Sequence, residues 1–263
     1  MEPAKVSLPR RMLQCLKQCV DCNTANRFTA INRYVKILLI SSVISIPSFA
    51  MAHHEYAAGQ SDDRYASFEE LKQNEDPSDY RIATKQAGST MLIMAIHGGG
   101  IEPGTSEIAN ELSHSYSMYL FEGLKSSGNS SLHITSTNFD EPSALDMAAG
   151  HTYIISLHGY YAEDRLIKVG GTDRGRIKIL VEELNKAGFT AEMLKTDDRY
   201  AGTSPDNIAN KSISGLSIQL EMSTGFRRSL FGVFTLKDRA STQNEDFYRF
   251  TKLLSNFIES HYE

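Results

Sequence analysis

Two histidines and two glutamates in this chain stand where apolar runs end, and that pattern suits a hydrolytic metal centre. His97 follows the run 91–96 (MLIMAI), and Glu102 comes five residues later, past three glycines. His158 and Gly159 close a second apolar run, 153–157 (YIISL), and Glu221 lies near the end of the alternating stretch 216–222 (LSIQLEM). A hydrolytic zinc takes three protein ligands from His, Asp or Glu and keeps a fourth position for water, whose pKa it lowers toward neutrality. His97, Glu102 and His158 supply such a set. Glu221, not needed as a ligand, is the natural general base to take a proton from that water and hand it to a leaving amine. Each residue alone reads as an ordinary packed or surface group; the four together point to metal chemistry.

The elements that must hold them follow from apolar spacing. Residues 91–96 are too few for a globular helix and dense enough for a strand buried on both faces. Thr105, Ser106 and Glu107 open a helical pattern, and Ile108, Leu112, Tyr116, Tyr119 and Leu120 give it one apolar face that ends near Gly123. Strand, glycine loop and helix in succession put His97 and Glu102 at the carboxyl edge of an open sheet, where ligands bind in α/β folds. Residues 80–87 read as an edge strand, and 132–137 as an alternating strand with His133 opposite Leu132 and Ile134. Residues 153–157 form a second buried strand, 166–169 and 190–194 short ones, and 216–222 a strand with Gln219 and Glu221 opposite Leu220. Helices are expected over 174–187, capped by Asp173, and from 245 to 258, where Phe247, Phe250, Leu254, Phe257 and Ile258 share a face. This alternation predicts a single α/β domain with an open mixed β-sheet flanked by helices. His114, His133, His151 and His261 are assigned to surface or core, His151 lying at the wrong sheet edge to join the others.

Residues 1–52 read as a leader and signal peptide. Arg27, Arg33 and Lys36 precede an apolar run, 37–46, that stops at Pro47, and Ala50, Met51 and Ala52 offer an A-x-A cleavage site. The run is about half of the roughly 20 residues that span a bilayer, so a secreted or periplasmic protein with no stable membrane anchor is expected. Cys15, Cys19 and Cys22 all lie in this leader, so disulfides are not expected to hold the fold. Residues 53–79 read as a polar segment laid over the domain, and 80–263 as the catalytic domain, expected to be a monomer. Removing 1–52 takes seven of the 27 basic residues and two of the 32 acidic ones, leaving 20 against 30. Such acidity argues against broad nucleic-acid or anionic-membrane binding.

Two rival readings of the glycine loop fail on what is missing. H-G-G-G at 97–100 fits the oxyanion loop of lipases and esterases, but the G-x-S-x-G elbow that such enzymes need is absent from the sequence. A phosphate loop would want a Lys after the glycines, and Glu102 would repel the phosphate.

Five motifs in order also carry a resemblance. HGGGIEPGTSE (97–107), FEGLK (121–125), LHITSTNFDEP (132–142), SLHGY (156–160) and IQLEMS (218–223) resemble the poly-gamma-glutamate hydrolase family, also labelled phage replication-related proteins. The resemblance runs from about residue 80 to the C-terminus. It implies a zinc-dependent amidohydrolase that cuts γ-glutamyl linkages, on an α/β fold similar to zinc carboxypeptidases, with His97, Glu102 and His158 as Zn2+ ligands and Glu221 as the catalytic carboxylate. The loop departs from those carboxypeptidases: four residues separate His97 from Glu102 where they usually have two. An anionic γ-glutamyl polymer exposes an α-carboxylate on every residue, so its cleft should present cations and amides. Candidates are Arg165, Arg174, Asn207, Asn210, Lys211, Arg227 and Arg228, with Asn210 and Lys211 standing where similar enzymes are expected to place an Asn-Arg pair. A Lys there is a point charge and cannot grip a carboxylate bidentately. Two further readings stay open: a zinc carboxypeptidase acting on cell-wall peptide, and a non-catalytic binding domain whose metal is structural.

Overall fold

The computed structural model describes residues 63–263, so the leader, the signal and the first part of the polar segment lie outside the described residues. After α1 (Phe68–Asn74), β1 (Tyr80–Lys85) leads into β2 (Met91–Gly99), α2 (Thr105–Leu112) and β3 (Ser117–Gly123). Next come α3 (Pro142–Gly150), β4 (Tyr153–Tyr160), β5 (Ile167–Gly170), α4 (Arg174–Lys186) and β6 (Ala191–Met193). β7 (Leu216–Ser223), α5 (Thr224–Ser229) and α6 (Glu245–His261) complete the chain. The strands form one seven-stranded mixed sheet in the order β1-β3-β2-β4-β7-β5-β6. The four central strands run parallel, while β1 and β5 are antiparallel to their inner neighbours. This is the expected α/β domain with an open mixed sheet flanked by helices. Among the described residues no helix is long and apolar enough to cross a membrane.

Burial on both faces explains the apolar density of the middle strands. Every residue of β2 from Met91 to Ile96 is fully buried, and each of its Met, Leu and Ile side chains contributes about 1.5–3 kcal/mol of transfer free energy. One face packs Ile93, Ile155, Ile218 and Leu220 against Ile108 of α2, Ile177 and Leu180 of α4, and Phe247, Phe250 and Leu254 of α6. The other packs Leu92, Met94, Ile96 and Ile154 against Phe68 and Leu71 of α1 and Met147 of α3. On this second face β4 and β7 turn polar toward their carboxyl ends, with Ser156 opposite Gln219 and His158 opposite Glu221. The sheet thus supplies both an apolar floor and a chemically equipped upper edge.

Two expected elements differ. The helix after the glycine loop stops at Leu112, and 117–123, assigned to its continuation, is the buried strand β3 between β1 and β2. Ser113 caps that stop, its backbone N–H bonding back to the last turn. The alternation Tyr119, Phe121 against Met118, Leu120 then satisfies a two-sided strand, with the first pair in one core and the second in the other. Residues 132–137 do not form a strand: Leu132 closes a 3-10 turn and the chain then runs without regular structure. Its alternation is still used, since Leu132 and Ile134 are fully buried while His133 is not.

Candidate functional site

β2 continues past Ile96 through His97 to Gly99, so His97 stands on a strand rather than in a loop. Its pairing with β3 slips between Ala95 and Gly98, three steps along β2 matching two along β3. Strict alternation would turn His97 toward the face that Ala95 occupies. The extra residue of this bulge re-aims it, and Ile96 and His97 both serve the second face, where His97 meets His133 and His158. Gly99 holds φ +63°, and a Cβ there would lie 2.4 Å from the Gly123 carbonyl oxygen. Only glycine fits that turn.

The geometry that follows is tight. His97 Nδ1 lies 3.1 Å from His158 Nδ1 and 3.1 Å from Glu102 Oε1, and His158 Nδ1 lies 3.7 Å from Glu102 Oε2. Tetrahedral zinc bound at its usual lengths separates its ligand atoms by about 3.3 Å. The His97–His158 and His97–Glu102 separations are close to that value, and His158 faces the other oxygen of the same carboxylate, so the donor types and spacing suit such an ion. Each imidazole is fixed from behind: His97 Nε2 donates to the Ile134 carbonyl at 2.9 Å, which leaves Nδ1 its lone pair, and His158 Nε2 shares a hydrogen bond with Ser156 Oγ at 2.8 Å. The Gly159 N–H donates to Glu102 Oε2 at 2.8 Å.

Burial and mutual charge set the ionisation of these groups against one another. Burial and the neighbouring imidazoles push His158 down to about 3, whereas at His97 burial is overcome by the Glu102 carboxylate and the pKa rises. Burial opposes ionising Glu102 too, yet His97 and then His158 hold it down at about 2. Glu221, directly opposite His158, is pushed up to about 8 by burial and by the negative Glu102. Gln219 Nε2 donates to its Oε1 at 2.9 Å, and Asn207 Nδ2 donates to Gln219 Oε1 at 2.9 Å, so a chain of amides orients the carboxylate.

His133 also reaches this place, although its sequence context suggested packing or solvent. Its ring stacks on His97 with centroids 3.9 Å apart, its Nδ1 lies 2.5 Å from Asp63 Oδ1, and its Nε2 lies 3.8 Å from Glu102 Oε1. His97, Glu102 and His133 offer ligand atoms within 4.8 Å of one another. His158 Nδ1, 3.1 Å from His97 Nδ1 and 3.7 Å from Glu102 Oε2, makes a second arrangement around the same two residues. No local pattern marks His133, because an irregular segment and a residue 70 positions away place it.

The seven residues expected to meet substrate carboxylates scatter. Arg227 is buried and donates to the carbonyls of Met222, Pro103 and Tyr160, so it props the metal loop and presents no cation to a cleft. Gly159 makes room for it: a Cβ there would lie 2.4 Å from the guanidinium carbon. Arg174, Asn210 and Lys211 belong to the opposite edge of the sheet. Asp173, next to Arg174, bonds the Ser217 carbonyl, Asn210 accepts from Ser217 Oγ, and Ile213 after Lys211 bonds the carbonyl of His151, before β4. Arg165 is exposed in a hollow with Phe189, Asp246 and Arg249, and Arg228 pairs with Glu163 at 2.7 Å on the surface. Asn207 alone stands near the centre, as a support for Gln219.

Comparison with known proteins gives consistent matches. Residues 65–253 match the model of a family described as poly-gamma-glutamate hydrolase. The chain is 60% identical over 262 residues to UPF0714 protein YndL of Bacillus subtilis (strain 168), covering 100% of both. It is 40% identical over 229 residues to UPF0714 protein YmaC of the same organism, covering 87% of this chain and 97% of YmaC. A solved zinc-free apo form of YNDL shares 65% identity at a TM-score of 0.76, over 77% of this chain and 100% of that one. A solved bacteriophage poly-gamma-glutamate hydrolase shares 35% identity at a TM-score of 0.73, over 76% and 98%.

Proposed function

The chain belongs to the poly-gamma-glutamate hydrolase family, and from that premise we propose that it is a secreted, zinc-dependent amidohydrolase that cuts γ-glutamyl amide bonds in poly-γ-glutamate or another γ-glutamyl polymer. The observation that carries this reading is the approach of His97 Nδ1 and His158 Nδ1 to each other and to the two oxygens of the Glu102 carboxylate, beside a buried Glu221. Secretion rests on the basic, apolar and A-x-A succession before residue 53. Zinc held by His97, Glu102 and His158 would supply a Lewis acid for the scissile carbonyl and acidify water. Glu221 Oε1 is occupied by Gln219, and Oε2, which accepts no hydrogen bond among the described residues, takes the proton from the attacking water and passes it to the leaving amine. Glu221→Gln should keep one equivalent of zinc by metal analysis while turnover of poly-γ-glutamate falls about 10²–10⁴-fold. Full activity in that variant would overturn the mechanism. A cell-wall γ-glutamyl peptide presents the same bond and is the rival substrate for the same test.

The second reading, a binding domain with a structural metal, draws on His133. A fourth nitrogen this near the centre would close the coordination that a hydrolytic site leaves open.

A further inference from the structure

Of the seven expected carboxylate binders only Arg227 brings a charge near the centre, and its donors are spent on carbonyls, yet the sheet sets a further cation in the same row. Lys168 of β5 lies opposite Glu221 of β7, and Glu221 lies opposite His158 of β4, so the three share one row on the same face. Adjacent strands are about 4.8 Å apart, which sets the root of Lys168 one strand beyond Glu221 on the side away from His158.

Its ammonium is held in place by aromatic rings. Nζ lies 5.0 Å from the centroid of Tyr160, two residues past His158, and 5.7 Å from that of Tyr200. The Tyr200 carbonyl accepts from Gln219 Nε2 at 3.2 Å, the same amide that orients Glu221. Arg199 adds a second cation, 4.3 Å over the Tyr200 ring. The acidic partner of Lys168 is Glu192 at 4.0 Å, half exposed, and a pair so loose and wet neutralises little. Tyr160 Oη is buried and has no hydrogen-bond partner among the described residues, a donor left for a ligand to satisfy.

We propose that Lys168, framed by Tyr160 and Tyr200, binds the α-carboxylate of the γ-glutamyl residue at the scissile bond, and so sets the preference for γ-glutamyl over ordinary peptide chains. This rests on the reading of the site as a γ-glutamyl hydrolase. In a γ-linked chain the α-carboxylate carbon stands four bonds, about 5 Å, from the carbonyl carbon that is attacked. That is about one strand spacing, the step from Glu221 to Lys168. An α-linked peptide carries no charge at that place unless the residue is itself a glutamate, so the preference is over ordinary, non-glutamyl chains.

The test uses the full chain treated with chelator, so that nothing is turned over, and calorimetric binding of γ-linked triglutamate beside the same peptide with its α-carboxylates converted to carboxamides. Wild type should bind the carboxylate form about tenfold or more tightly, Lys168→Met should lose that preference, and Lys168→Arg should keep it. Equal or absent binding of the two peptides by wild type, or an undiminished preference in Lys168→Met, overturns the proposal. In zinc-loaded protein, Lys168→Met should raise KM about tenfold and leave kcat within about threefold. Wild type that binds the carboxylate peptide selectively but cleaves no γ-glutamyl bond would sink the hydrolase reading and still support this assignment.

Discussion

His97 and His158 each turn Nδ1 toward a different oxygen of Glu102, and their remaining ring nitrogens, with Glu102 Oε2, bond to neighbours that fix them. Rigid orientation of this kind is worth about 10–100-fold in metal affinity. His158→Ala should therefore bind less than 0.1 of the wild-type zinc under conditions that saturate wild type, roughly the loss of one of three ligands. His133→Ala separates the two readings of the site: on the hydrolase reading it retains one equivalent of zinc, and loss of the metal in that variant would favour the closed, structural centre. The histidines after the two apolar runs were legible from type and position. His133 was not, because its neighbours Asp63 and His97 are distant in the chain and its own segment has no periodic structure.

At the scale of elements, the glycine loop is held from two sides by buried arginines. Arg227 reaches it through the Pro103 carbonyl, and Arg239, 1% exposed, donates to the Gly99 carbonyl at 2.7 Å and to Glu107 of α2 at 3.1 Å. Removing one partner of such a pair strands the other charge in the interior, at a cost of about 3–5 kcal/mol. Arg239→Met should lower the urea midpoint accordingly, and pairing it with Glu107→Gln should recover part of the loss. A midpoint unchanged by Arg239→Met would show that the clamp contributes nothing. Spacing alone read α4 and α6 correctly, since their apolar faces repeat at helical intervals and Asp173 and Asn244 cap them. It misread 117–123, where tyrosines and leucines fit both periods and only pairing with β1 and β2 decides.

Across the whole molecule, the centre joins β2, the loop after it and β4, so its charge state is felt in the stability of the fold. Without metal, Glu221 is pushed up to about 8 by burial and Glu102, and His97 is raised by Glu102 against the opposing effect of burial. Between roughly pH 6.5 and 8 the folded chain then binds more protons than the unfolded one, so its stability falls as pH rises. The opposite contribution of His158, pushed down to about 3, fades through about pH 6.5 and is complete about one pH unit above it. Urea midpoints of chelator-treated protein should drop between pH 6.5 and 8, with a smaller drop in Glu221→Gln; a flat profile would contradict the shared burial of these groups. Zinc at a hundredfold excess over its Kd should add about 2.7 kcal/mol. Residue type and short-range period were enough to read the class of fold and to place a histidine near the ends of two strands, a glutamate in the glycine loop and a polar face on β7. The tertiary structure alone decided the bulge that turns His97 to its partners, the burial of Arg227 and the row from His158 through Glu221 to Lys168. Each of these depends on strand order and register, and a pairing between residues far apart in the chain leaves no local pattern to read.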